Sequence, residues 1–174
     1  MFQRYPVTLV LPSPDETTRL AAEIAPLLRP GDTLLLEGPI GAGKTHFARA
    51  LIGALQAAIG KAEDIPSPTF TLVQVYEGPA CDIWHADLYR LNDIMEVAEL
   101  GLEDAFLESI CLVEWPDRLG ALTPEGALRI AFLLDPDPQT RVLTFSADSP
   151  RWAELLEPLS RHTGQPAATA RPDV

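Results

Sequence analysis

Eight consecutive residues, Gly38-Pro39-Ile40-Gly41-Ala42-Gly43-Lys44-Thr45, carry the spacing G-x-x-x-x-G-K-[ST]. Glycines at 41 and 43 let the backbone turn tightly and aim several N–H groups inward. Those donors, with the positive end of a following helix, suit phosphate oxygens. Lys44 is then in reach of β- and γ-phosphates. The Thr45 hydroxyl can ligate Mg2+, a cation that keeps several waters and takes few protein ligands. Each charge-assisted contact of this kind contributes about 1.5–3 kcal/mol. Such a loop also wants an acid at the end of a neighbouring buried strand. Two residues compete for that place. Glu114 ends the apolar run ICLVE, and Asp87 ends the less apolar IWHAD. Either can hold the metal directly or through water, and either can orient an attacking water. The chain has 25 acids, so a solvated strand-end acid is the alternative for both.

Other side chains extend the constellation. His85 alternates with Asp87, which puts both on one side of a strand, although a lone histidine more often serves structure than catalysis. Trp115 either packs over the site or belongs to the core. Arg90 is either a phosphate partner or a surface cation. Thr69, in SPTF, sits in a loop of the kind that changes order with the γ-phosphate in many phosphate-loop enzymes. Pro66 and Pro68 restrict that loop.

These residues need a strand before the loop and a helix after it, and both are predicted. TLLLE (33–37) is a short apolar run typical of a strand buried on both faces. From Lys44 to Ile59, Phe47, Leu51, Ile52, Leu55 and Ile59 form a helical stripe, and Gly60 ends it. Upstream, VTLVL (7–11) reads as a strand. Ser13, Pro14 and Glu16 form a capping box opening a helix that runs to about Leu28. Downstream come strands in TLVQVYEG and around Ile83 to Ala86, one or two short helices broken near Gly101, and a buried strand over 110–115. ALRIAFLL and TRVLTFSA follow as an antiparallel hairpin, and a last helix runs over 152–159. Strands alternating with helices predict α/β with a largely parallel sheet, made mixed by the hairpin.

The 174 residues, 47% hydrophobic and 22% charged, suffice for one apolar core, and 1–161 is expected to be a single domain. Residues 162–174, rich in Pro, Ala, Thr and Gly, are expected to form a disordered tail. Residues 1–5 show no signal-peptide pattern, and no apolar run approaches the roughly 20 residues needed to cross a bilayer. The formal charge of −12 argues against a surface that coats itself with nucleic acid. Cys81 and Cys111 lack metal-like spacing and read as two reduced thiols of a cytoplasmic protein.

In order, GPIGAGKT, SPTFTLV, HADLYR, GLEDAF and LVEWPDR resemble the TsaE family, also called YjeE, over roughly residues 12–147. These are small bacterial P-loop ATPases required for making threonylcarbamoyladenosine in tRNAs that read ANN codons. The resemblance implies a P-loop NTPase-like three-layer α/β domain with a central mixed, mainly parallel sheet. It implies that Ile40, Gly41, Ala42, Gly43, Lys44 and Thr45 wrap the phosphates of ATP or ADP, and that Thr45 and Glu114 bring in Mg2+. Asp87 matches the residue near the γ-phosphate that supports hydrolysis, beside Lys44 and Glu114. Thr69 matches a switch-like segment, and Trp115 a tryptophan beside the site. Pro12 and Glu16 fall where family members approach the adenine, and Arg141 stands nearest to a later arginine by the nucleotide. His46 replaces a second small polar residue, and its side chain is expected to face away from the loop. The family acts with TsaB- and TsaD-like partners, the second of which transfers the group, so tRNA would meet this chain only through the complex.

Two rivals share the same loop. A small-molecule kinase would use Asp87 as its base, but such enzymes usually add an Arg-rich lid, and the eleven arginines here are scattered. A nucleotide-binding switch without useful turnover is the other. The absence of an N-K-x-D guanine-reading motif agrees with adenine.

Overall fold

The computed structural model of the chain describes residues 6–162. Seven strands form one sheet: β1 (Val7–Leu11), β2 (Thr33–Glu37), β3 (Val73–Glu77), β4 (Asp82–Asp87), β5 (Ile110–Glu114), β6 (Leu128–Leu134) and β7 (Arg141–Ser146). Their spatial order is β1-β7-β6-β2-β5-β4-β3. β2 pairs in parallel with β5 and β6, and β5 with β4. β3–β4, β6–β7 and β1–β7 are antiparallel. Because β1 reverses a reversed strand, only β3 and β7 oppose the common direction, so the sheet is mixed and mainly parallel. The helices are α1 (Pro14–Ile24), α2 (Lys44–Ala57), α3 (Ile94–Ala98), α4 (Leu102–Glu108) and α5 (Ala153–His162).

Alternation along the strands builds a core on each face. Leu34 and Leu36 of β2 point into a cluster with Phe47, Leu51 and Ile52 of α2, Leu112, Phe132 and Trp152. Leu35 points the other way, among Leu102, Phe106, Cys111, Val113 and Leu119. All three β2 leucines are wholly buried, and each burial contributes about 1.5–3 kcal/mol. That explains the continuous apolar run. Cys111 belongs to the second cluster, whereas Cys81 packs against the first; both thiols are free, and burial pushes Cys111 up to about 12.

Several boundaries differ from expectation for local reasons. α1 stops at Ile24 and continues only as a 3-10 turn over Ala25–Leu27, because Pro26 brings no amide and crowds the preceding turn. Ser13 caps α1 by accepting the Glu16 amide at 3.3 Å, but Glu16 pairs with Arg19 instead of closing the box. α2 ends at Ala57 rather than Ile59, and Gly60 takes φ 72°. β5 ends one residue early, where Trp115 turns left-handed at φ 58°. The break at Gly101 is present, with φ 80° between α3 and α4. α5 reaches His162, the first residue of the expected tail; the rest of that tail, and residues 1–5, lie outside the described residues.

Candidate nucleotide site

β2 delivers the chain to Gly38 at the C-terminal edge of the sheet, and α2 leaves from Gly43. Between them the loop is clamped at both ends. A Cβ on Gly38 would stand 2.4 Å from the Phe132 carbonyl of β6. One on Gly43, at φ 103°, would stand 3.0 Å from Arg141 Nε. Gly41, at the tip, has nothing within 4 Å of the same point. Phe47 N bonds back to Gly43 O at 3.0 Å, while the amides of α2's first turn have no helical acceptor and point out of its positive end.

The loop opens on a cavity of about 360 Å³, lined by Ile40, Gly41, Gly43, Lys44, Thr45, His46, Thr69, Asp87, Tyr89, Glu114 and Trp115. Lys44 is 5% exposed. Its Nζ donates to Gly38 O at 2.5 Å and Pro39 O at 2.9 Å, and lies 4.4 Å from the Trp115 ring centre. Burial lowers the Lys44 pKa, against the opposing pull of Glu114 and Asp87. Both candidate acids are present, because the β4–β5 register sets Asp87 opposite Glu114. They do different things. Glu114 Oε1 accepts the Thr45 hydroxyl at 2.6 Å, and its Oε2 lies 3.2 Å from His85 Nε2. Asp87 Oδ2 accepts the Thr69 hydroxyl at 3.0 Å, and Oδ1 accepts the Tyr89 amide at 3.0 Å.

The oxygen set fits Mg2+. A hydroxyl and a carboxylate converge at the cavity wall, and no cluster of three or more His, Cys, Asp or Glu side chains offers a closed cage among the described residues. In nucleotide sites generally, Mg2+ takes one or two protein oxygens and fills its remaining positions with phosphates and water.

Two non-glycine residues among those described have left-handed backbone, Leu72 and Trp115; Trp115 lines the cavity and Leu72 bonds to Asp87, which does. Leu72 ends the Thr69 loop, where its carbonyl accepts the Asp87 amide at 2.9 Å. Trp115 tilts against Tyr89 with ring centres 4.8 Å apart. Each such conformation costs on the order of 1–3 kcal/mol and persists only where the surroundings impose it.

The remaining expected residues lie outside the cavity lining. Ala42 is buried beneath the loop, and Arg141 lies against the outside of Gly43. Pro12 and Glu16 stand at the N-terminal end of α1, and Glu16 is paired with Arg19. Arg90 stacks over Phe70, beside Thr69, at 5.4 Å. His46 borders the cavity, and its ring turns to α1, with Nε2 3.2 Å from Pro14 O and 3.1 Å from Thr18 Oγ1, tying the loop's helix to α1. The first turn of α2 faces α1, which a one-dimensional pattern does not reveal. Tyr89 is an added wall whose only sequence signal is its place two residues after Asp87.

Residues 11–142 match the family model for threonylcarbamoyl adenosine biosynthesis protein TsaE. The chain is 37% identical over 151 residues to the tRNA threonylcarbamoyladenosine biosynthesis protein TsaE of Bacillus subtilis, covering 86% of this chain and 91% of that one. The Rickettsia bellii protein of the same name is 40% identical over 129 residues, covering 74% of this chain and 88% of that one. The crystal structure of Bacillus subtilis YdiB superposes with a TM-score of 0.74 at 30% identity, covering 94% of this chain and 99% of that chain. The chain belongs to the TsaE family.

Proposed function

We propose that the chain is a Mg2+-dependent ATP-binding and ATP-hydrolysing subunit needed for tRNA N6-threonylcarbamoyladenosine formation. In this reading it acts in the cytoplasm with TsaB- and TsaD-like partners and does not transfer the group itself. The observation that carries the proposal is the 2.6 Å contact between Thr45 and Glu114 on the wall of a cavity that Lys44 and Asp87 also line. The family relationship supports the tRNA pathway. The charge of −12 supports a partner as the holder of tRNA. No helix among the described residues is long and apolar enough to cross a membrane.

Each residue has a physical task. The amides of 40–45 bind phosphate oxygens, and the Lys44 ammonium exchanges the Gly38 and Pro39 carbonyls for them. Thr45 and Glu114 would hold Mg2+, which would supply positive charge to offset that of the phosphates. Asp87 has two oxygen contacts, to Thr69 and the Tyr89 amide, out of the roughly four acceptor sites of a carboxylate. It therefore retains capacity to orient a water for attack on the γ-phosphorus, with the bond to the β–γ bridging oxygen breaking and ADP leaving. Thr69, bonded to that same acid, links the loop at 66–72 to the state of the γ-phosphate.

ATP labelled in the γ-phosphate, incubated with and without the partner proteins, tests this. Label in inorganic phosphate, increased by the partners, is the expected result. Label in a metabolite would make the chain a kinase, and tight binding without release would make it a switch.

A further inference from the structure

His85 has no part in the mechanism so far, yet it is wholly buried and bonded to the most buried acid of the site. β4 and β5 run in parallel with His85 opposite Leu112 and Asp87 opposite Glu114, so the His85 ring lies diagonally behind the Glu114 carboxylate. Glu114 is 1% exposed. A carboxylate so placed needs a donor at each oxygen. Thr45 serves Oε1 from the cavity side, and His85 serves Oε2 from inside the sheet. The carboxylate only accepts, so the hydrogen of this bond belongs to Nε2. The other nitrogen, Nδ1, has no hydrogen-bond partner among the described residues. The polar contact of the ring is therefore confined to its Nε2 side, which faces Glu114.

We propose that His85 is a positioning residue for Glu114: its Nε2–H fixes Oε2 and so presents Oε1 to Thr45 and to the cation. The inference rests on the reading of Thr45 and Glu114 as the Mg2+ pair. His85 touches neither metal nor nucleotide; it acts through the carboxylate. Removing such an outer partner typically costs 10–100-fold in metal affinity.

Two substitutions separate position from polarity. His85→Gln places an amide nitrogen where Nε2 stands, and His85→Asn places one where Nδ1 stands. ADP affinity is measured by calorimetry with Mg2+ and with chelator. In His85→Asn the gain on adding Mg2+ is expected to fall about tenfold or more, with metal-free affinity within about twofold, and in His85→Gln most of the gain returns. A full gain in His85→Asn, parallel loss of both affinities, or equal loss in the two variants would overturn the proposal. Glu114→Gln separates the layers: a lost gain there beside an intact gain in His85→Asn sinks this inference alone. No gain in the unaltered chain sinks the Mg2+ reading beneath it. If His85→Asn does not fold, 15N spectra of the unaltered chain decide, since hydrogen on Nε2 is required and hydrogen on Nδ1 alone refutes.

Discussion

The two ends of β2 carry cavities of opposite character. At the N-terminal end, a space of about 550 Å³ is lined by Asp32, Thr33, Glu103, Leu107, Glu125 and Arg151 among others. The loop-end cavity is smaller, about 360 Å³. In the larger space the buried acid and its cation, Asp32 and Arg151, are locked to each other. Asp32 accepts from Arg29 N at 2.7 Å and from Arg151 Nε at 3.0 Å, and Arg151 Nη2, which also contacts Asp32, donates to Leu27 O at 2.8 Å. At the loop end the ammonium is tied only to carbonyl oxygens, which a phosphate can displace. Size therefore does not mark the site. What marks it is charge held by partners that a ligand can replace.

The strongest way to break this contrast is Lys44→Ala. It removes the only cation of the loop, and turnover should fall about 100–1,000-fold, the range found when one donor to a developing charge is lost. A phosphate-release assay with partners present checks it, and near-normal turnover would end the site assignment. Asp32→Ala should do the reverse. Leaving Arg151 without its carboxylate should lower unfolding free energy by about 3 kcal/mol in urea titration, with MgADP affinity unchanged in the folded protein. A loss of affinity without loss of stability would erase the distinction between the two ends. Glu114→Ala should weaken MgADP binding about tenfold while sparing metal-free ADP, by calorimetry, and equal losses would mean a folding defect.

The smallest effect is one of pH. The folded-state pKa of Lys44 lies below that of the unfolded chain, chiefly because burial disfavours the ammonium. Between the two values the unfolded chain binds more protons, so this group's contribution to stability rises with pH through that window, up to the ordinary lysine value of 10.5. Relative to Lys44→Met, the unaltered chain should gain slightly in denaturant midpoint as pH is raised through the window. A relative loss would reverse the assigned cause.

The phosphate loop was legible because its chemistry is local: eight adjacent residues carry the spacing, and α2, which begins within them at Lys44, carries the stripe over its fourteen residues. The apolar runs of β2 and β5 were legible for the same reason. The division of labour between Glu114 and Asp87 was not, since it depends on strand neighbours and register that no single strand encodes. His85 could be set on the face of Asp87 by alternation, but only the arrival of β5 beside β4 gives its ring a carboxylate. His46 reads as outward from the loop, but only the packing of α1 against α2 gives its ring partners. The early end of α1 was the exception, for Pro26 announces it and the hydrophobic pattern masks it.

The clamps on the phosphate loop have a mechanical consequence. With Gly38 wedged on Phe132 and Gly43 braced by Arg141, the strap is fixed at both anchorages. Any flexing on ligand entry is confined to the span around Gly41, and its amplitude is set by a handful of torsions. Substituting alanine for Gly38 would therefore prise apart β2 and β6 and transmit the damage to the sheet itself, while the same change at Gly41 meets no neighbour and would cost only the local strain of a side chain at φ 79°, about 1–2 kcal/mol.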